Sequence, residues 1–340
     1  MNDRNKIVRT DSELECPNID RELRERGHDL VLLPDGVSED ELVRETRDAD
    51  LILMCYRPIT ARVINTAERL KGIVKYGVGI DAIDINAAKA RKIPVVNIPE
   101  YAEETVAEGA FALMIALAKK LSPLHITMRA EGWVWPTSRW LGSDIAGKTL
   151  GLIGVGRIGK SMARMAGAGF RARVLGYDPY IPAEEMRESG VEHRADLHAM
   201  LAECDFVSIH SVLNPESHHL IGEREFSHMK ASAFLINVSR GAIVDEQALL
   251  RALKSGEIAG AGLDVFSQEP LAVSGHPLSP LFAMDNVLLT PHLTFYTAEA
   301  MRRLEDETLE RCFEVLDAKP VRVKSNDPRL ASQGDGVVFT

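Results

Sequence analysis

Several things are scarce in this chain. Its four cysteines (Cys16, Cys55, Cys204 and Cys312) stand far apart with no CxxC pair, which argues against a disulfide framework and a zinc knuckle. Aromatic residues are only 6%, and positive charge is in deficit, with 40 Lys+Arg against 50 Asp+Glu and a net charge of −10. That balance favours solubility and lacks the clustered cations of a phosphate-backbone footprint. The longest apolar run, 111–118, falls far short of a bilayer span, and the charged start MNDRNK has no apolar leader core. His125, His193, His198, His218 and His219 lack partners at metal-ligand spacing and read as surface or helix histidines. The expectation is a soluble, cytoplasmic protein that binds neither nucleic acid nor membrane and holds no metal. What remains is ordinary: 45% hydrophobic and 26% charged residues over 340 positions, enough for about two domains.

The chain alternates between two textures. Short aliphatic or β-branched runs recur at 6–10, 29–33, 51–55, 72–77 and 94–98, with helical stretches at 19–26, 39–47, 61–70 and 85–91 between them. Near-continuous apolar strands alternating with amphipathic helices predict parallel strands buried on both faces beneath crossover helices. The pattern breaks at 104–120, ETVAEGAFALMIALAKK, a long apolar helix that reads as a buried linker between lobes. The segment 131–141, EGWVWPTSRWL, holds all three tryptophans. It is either a loop packed on its own domain or a hydrophobic anchor in a subunit interface, where Trp is enriched. Strand texture resumes at 149–154, 173–178, 206–210, 233–238, 261–266 and 287–291, predicting a second sheet of six strands, before a helix over 298–316 and a polar tail. The fold class is α/β, with two doubly wound parallel-sheet lobes.

One turn stands out. LGLIGVGRIG contains Gly154-x-Gly156-x-x-Gly159, leaves an apolar strand and opens a helix over 160–168. The next strand ends in Asp178, about 20 residues past the glycines, as a dinucleotide fingerprint requires. Gly154 serves the tight turn, Gly156 the backbone approach to pyrophosphate, and Gly159 close helix–strand packing. The helix N-terminus offers free amides and a positive dipole end to the anion. A carboxylate at Asp178 accepts from ribose hydroxyls and repels a 2′-phosphate, which favours NAD over NADP. Arg157 and Ile158 lie inside the fingerprint; Arg157 could pair with a pyrophosphate oxygen or face solvent.

Ligands of a parallel sheet bind outside the carboxyl ends of its strands, and three such ends carry chemistry. AFLINV runs into Ser239-Arg240-Gly241, AGLDVF contains Asp264 and precedes Glu269-Pro270, and VLLT runs into Pro291-His292. Arg240 suits a carboxylate through its planar donors. His292 can take or return a hydroxyl proton, and Glu269 can fix its tautomer and stabilise the imidazolium. Asp264 could hold the nicotinamide end of a cofactor.

These residues resemble a known family. VKYGVGIDAIDINAAKARKIPVVNIP (74–99), TVAEGA (105–110), GKTLGLIGVGRIG (147–159), INVSRGAIVDEQAL (236–249), GLDVFSQEP (262–270) and NVLLTPH (286–292) are similar to the D-isomer-specific 2-hydroxyacid dehydrogenases. The resemblance implies an NAD-dependent enzyme with catalytic Arg240, Glu269 and His292. It implies a Rossmann cofactor domain, 104–295, inserted in a flavodoxin-like substrate domain, 1–103 with 296–340, and a homodimer built through the former. By family position Val78, Thr105, Ser211, Val238, Ser239, Arg240, Asp264 and His292 should touch the cofactor. The Gly77-Val78-Gly79 backbone should receive the substrate carboxylate. NIPEYAEETVAEGA and TPHLTFYT bring the subgroup of C-terminal binding proteins closest. Thr294-Phe295-Tyr296 replace the Gly-rich stretch common after the histidine, Ala82 replaces a common Asn and Val212 a common Pro. No appended regulatory domain is expected after 317.

The expected function is hydride transfer between NAD and C2 of a D-2-hydroxy or 2-keto acid. The alternative is an NAD(H)-responsive dimeric protein-binding module with little turnover. Arg57, after LILMCY, could reach a substrate phosphate, whereas Phe295 and Tyr296 suggest an apolar wall; the two cues oppose each other.

Overall fold

The computed structural model describes residues 4–331, 333–334 and 336–340. It divides into two compact units: a terminal unit made of residues 1–102 and 297–340, and a central unit of residues 103–296.

In the terminal unit the strands β1 (Lys6–Arg9), β2 (Asp29–Leu32), β3 (Leu51–Met54), β4 (Gly72–Lys75) and β5 (Val95–Asn97) alternate with α1 (Pro17–Glu25), α2 (Glu39–Thr46), α3 (Ala61–Thr66) and α4 (Ile85–Ala90). The sheet order is β2-β1-β3-β4-β5 and every pairing is parallel. Central strands such as LILM and GIVK are buried at every residue, as a sheet covered on both faces requires. The helices start where side chains can cap them. Ser38, Thr60 and Asp84 accept from the amides of Glu41, Val63 and Ala87, relieving amides that the helix cannot satisfy itself.

The central unit opens with α5 (Glu103–Ala118) and α6 (Leu121–Glu131). It continues through β6 (Thr149–Ile153), α7 (Arg157–Arg164), β7 (Arg173–Tyr177), α8 (Ala183–Glu188), β8 (Glu192–His193), α9 (Leu197–Glu203), β9 (Phe206–Ile209), α10 (Glu223–His228), β10 (Phe234–Asn237), α11 (Glu246–Ser255), β11 (Gly260–Leu263) and β12 (Val287–Leu289). Its parallel sheet runs β12-β11-β10-β9-β6-β7-β8. That makes seven strands where six were expected; β8 is two residues long and too short to show as an apolar run. His193 therefore belongs to an edge strand. Rather than only linking lobes, α5 is part of this unit's core: Ala107, Ala110 and Met114 are fully buried. Gly262 of β11 lets the helix come close, since a Cβ there would lie 3.1 Å from Leu113 Cβ.

The chain then returns to the terminal unit as α12 (Ala298–Leu316), β13 (Val321–Val323) and β14 (Val337–Phe339). Calling this tail simply polar is a misreading. Val321, Val323 and Leu330 are buried, β13 pairs with β14, and the Gln333 amide bonds the backbone N and O of Val95 at 2.7 and 2.8 Å.

The tryptophan segment packs only in part on its own domain: Trp140 is half-buried and Arg139 bonds Asp285 at 3.2 Å. Trp133 and Trp135 are 73% and 75% exposed and meet each other edge to face, with ring centroids 6.3 Å apart.

Candidate active site

The fingerprint turn joins β6 to α7. Gly154 sits at φ +92°, and a Cβ on it would stand 2.5 Å from Ser211 N; a Cβ on Gly159 would collide with the Gly154 carbonyl. Both are glycine for the turn's own packing. Gly156 is different, because a Cβ there would meet nothing within 4 Å. The protein leaves space at that position, and α7 begins there without a side-chain cap. Across the turn, Ser211 Oγ is buried and has no hydrogen-bond partner among the described residues. Open space, uncapped helix amides and an orphaned hydroxyl fit a dinucleotide pyrophosphate.

Asp178 follows β7. Its Oδ2 accepts from Val155 N and its Oδ1 from Tyr180 N, both at 2.9 Å, so it braces the glycine turn. Arg157 pairs with Glu103 at 3.2 Å, and Ile158 packs against the core. Thr105 and Val238 are buried. Ser239 donates through Oγ to the Ser211 carbonyl, tying the ends of β10 and β9 together. Nothing but its strand-end position marks His210. Burial pushes that imidazole down to about 4, and Ser208 Oγ lies 2.9 Å from its Nε2.

The three ionisable residues come from successive strand ends of the same sheet. Arg240 follows β10; Asn237 Nδ2 donates to its carbonyl at 2.9 Å, and its Nη1 donates to Ser239 O at 2.7 Å. Gly241 lets this turn lie against the next one, because a Cβ there would collide with the backbone of Phe266 and Ser267. Glu269, beyond β11, accepts from Phe266 N at 2.9 Å through Oε1. Its Oε2 lies 3.0 Å from His292 Nδ1. Burial pushes the Glu269 carboxyl up, but the His292 bond and charge, the Phe266 amide and the charge of Arg240 outweigh it and hold it below the usual carboxylate range. The central unit thus brings guanidinium, carboxylate and imidazole within electrostatic reach of one another.

Asp264 has a different setting. It is fully buried, and both carboxylate oxygens accept hydrogen bonds from the loop 290–294 that carries His292. Nothing in the sequence marks Thr290, and Thr294 stands out there only as part of the stretch that replaces a Gly-rich one, since no local spacing marks a hydroxyl that bonds a carboxylate one strand away.

The remaining candidates lie in the terminal unit. After β4, Gly77 sits at φ +148° and Asn97 Nδ2 holds the Val78 carbonyl at 2.6 Å. The amides of Val78 and Gly79 make no hydrogen bond among the described residues, which leaves two donors for an anion. Arg57 donates its backbone amide to Asp11 at 3.1 Å, while its Nε is buried without a partner.

The profile of the D-isomer specific 2-hydroxyacid dehydrogenase NAD binding domain matches residues 111–294. The chain belongs to that family. It is 40% identical over 304 residues to a glyoxylate reductase of Korarchaeum cryptofilum, covering 86% of this chain and 90% of that one. To a D-3-phosphoglycerate dehydrogenase of Methanocaldococcus jannaschii it is 37% identical over 88% of its length, but it spans only 56% of that relative. The D-lactate dehydrogenase of Aquifex aeolicus, solved with NAD and lactic acid, superposes with a TM-score of 0.81 at 31% identity over 92% of this chain and 95% of the other. The protein is therefore an NAD-dependent D-2-hydroxyacid dehydrogenase, and residues 111–294 form its NAD-binding domain.

Proposed function

We propose that the enzyme reduces a small 2-keto acid to the D-2-hydroxy acid, and runs the reverse reaction, with Arg240, Glu269 and His292 as its catalytic residues. The Glu269–His292 pair at 3.0 Å, with Arg240 close enough to lower the same carboxyl, carries this reading. Glu269 accepts from Nδ1–H, which fixes the tautomer that leaves Nε2 to the substrate. His292 then gives its proton to the C2 oxygen in reduction and takes it back in oxidation. Arg240 holds the substrate carboxylate and polarises the C2 oxygen. Within the terminal unit, the amides of Val78 and Gly79 and the side chain of Arg57 are the groups suited to bind an anion.

Gly154, Gly156, Gly159 and the start of α7 hold the pyrophosphate, Asp178 the ribose, and Thr105, Ser211, Val238 and Ser239 line the rest of the cofactor site. NADH bound there supplies the hydride. Similarity to a glyoxylate reductase over nine-tenths of its length favours glyoxylate and its short homologues as substrates. The exposed apolar residues of α6 and the segment after it, Ile126, Trp133, Trp135 and Leu141, favour a homodimer formed through the central unit.

The test is NADH oxidation with glyoxylate, hydroxypyruvate, 2-ketobutyrate, 3-phosphohydroxypyruvate and aryl pyruvates. Turnover with at least one, falling about 10²–10⁴-fold in His292→Ala and in Arg240→Ala, is the expected result. Absence of turnover across the panel would overturn the reading.

A further inference from the structure

The loop that presents His292 is clamped by one buried carboxylate. Asp264 Oδ1 accepts from Thr290 Oγ1 at 2.5 Å and from Leu293 N at 2.9 Å. Its Oδ2 accepts from Thr294 N at 3.1 Å and from Thr294 Oγ1 at 2.6 Å. His292 lies among these donors at φ +57°, a conformation that a residue with a Cβ adopts only when its surroundings impose it. That left-handed turn aims two successive amides, those of Leu293 and Thr294, at one anion. Thr294 makes two of the four bonds. Beneath it, α5 is shaped to receive it: a Cβ on Gly109 would stand 2.7 Å from Thr294 Cβ.

We propose that Thr294 is a positioning residue for proton transfer. Its hydroxyl completes the Asp264 clamp, and the clamp holds the His292 backbone where Nδ1 meets Glu269. Thr294 acts through His292, so this assignment rests on the role proposed for His292 above. It also gives Asp264 a task other than gripping the nicotinamide end, since the carboxylate would have to surrender one of four bonds to do so.

Thr294→Val keeps the side-chain shape and removes the hydroxyl, leaving a buried carboxylate oxygen short of a donor. The expected result is a fall in kcat for 2-keto acid reduction of about tenfold, the scale of one lost hydrogen bond to a charged group. KM for NADH should stay unchanged. Thr294→Ser should restore kcat to near the wild-type value, and Gly109→Ala, which pushes Thr294 from below, should reproduce the loss. Amide hydrogen exchange at Leu293 and Thr294 should be slow in the wild type and faster in Thr294→Val. A wild-type kcat in Thr294→Val, an equal loss in the Val and Ser variants, or a rise in KM for NADH matching the loss in kcat would each overturn the proposal. If the wild type reduces no 2-keto acid, the reaction itself is misassigned. Amide exchange still tests the clamp in that case, and an unchanged rate in Thr294→Val refutes it.

Discussion

The two units are built alike and differ at the one place where a doubly wound sheet offers a crevice. That place is the switch point, where successive crossovers leave on opposite sides. In the terminal unit it lies between β1 and β3, in the central unit between β6 and β9. At the first, Asp11 is buried and its carboxylate accepts from the amides of Cys55, Tyr56 and Arg57 and from Thr10 Oγ1. The protein's own anion occupies a nest of backbone donors. At the second there is a glycine turn with open space at Gly156 and a partnerless Ser211 hydroxyl. The contrast shows that topology supplies the anion site in both units and side chains decide whether it is closed internally.

Turning the second crevice into the first is the sharpest way to break this comparison. Gly156→Asp adds a carboxylate where nothing lies within 4 Å, so the fold should tolerate it. The new charge would face the pyrophosphate, and we expect NADH affinity to fall on the order of 10²–10³-fold, about 3–4 kcal/mol. Cofactor fluorescence titration measures the loss and thermal unfolding checks the fold. Affinity within a fewfold of wild type would show that the open space is not the pyrophosphate position.

The reverse experiment weakens the internal anion. Asp11→Asn retains one acceptor oxygen and tolerates φ +57°, but it places an amide group among three backbone donors. The expected loss is about 2 kcal/mol of stability, read from denaturant unfolding. A neutral result would mean that the three amides are satisfied without the charge.

What could be read in the sequence was whatever depends on local spacing. The glycines, the acid about 20 residues later and the three strand ends are visible because each is defined within one strand–turn–helix step. The Asp11 nest was not, because its donors lie 44 to 46 residues away. The Asp264 clamp joins two strands across an intervening segment and was hidden for the same reason. The two residues of β8 carry no periodicity, β13 is buried through β5 and α12 rather than through an apolar run of its own, and β14 is largely exposed. Most predicted strands run a residue or two past the observed ones. Gly154, Asp178 and His210 look like strand continuations, yet they are where the chain bends away to build the site.

A smaller effect concerns Asp178, which braces Val155 and for which we propose contact with the ribose. Asp178→Asn keeps an acceptor for the Val155 amide and removes the charge that opposes a 2′-phosphate. The preference for NADH over NADPH should narrow by about tenfold, measured as the ratio of kcat/KM with the two cofactors. An unchanged ratio would move cofactor choice to another residue.

The smallest expected change lies in the acidic range of pH. Glu269 titrates below the usual carboxylate range because His292 and Arg240 favour its charged form over the cost of burial. A carboxyl lowered by folding contributes stability in full above its unfolded value of about 4.3, and loses it only as pH falls through the lower folded value. The Glu269–His292 pair should therefore persist through mild acid. Reduction draws its proton from the imidazolium, so acid does not starve that step while Glu269 stays ionised. The rate of reduction should hold level as pH falls from about 6 to about 4, where an ordinary carboxyl would already be more than half protonated. In Glu269→Gln the neutral amide cannot stabilise the imidazolium, so reduction should be slower than in wild type throughout this interval. A wild-type reduction rate that halves near the ordinary carboxyl value of about 4.3 would mean that neither His292 nor Arg240 governs Glu269.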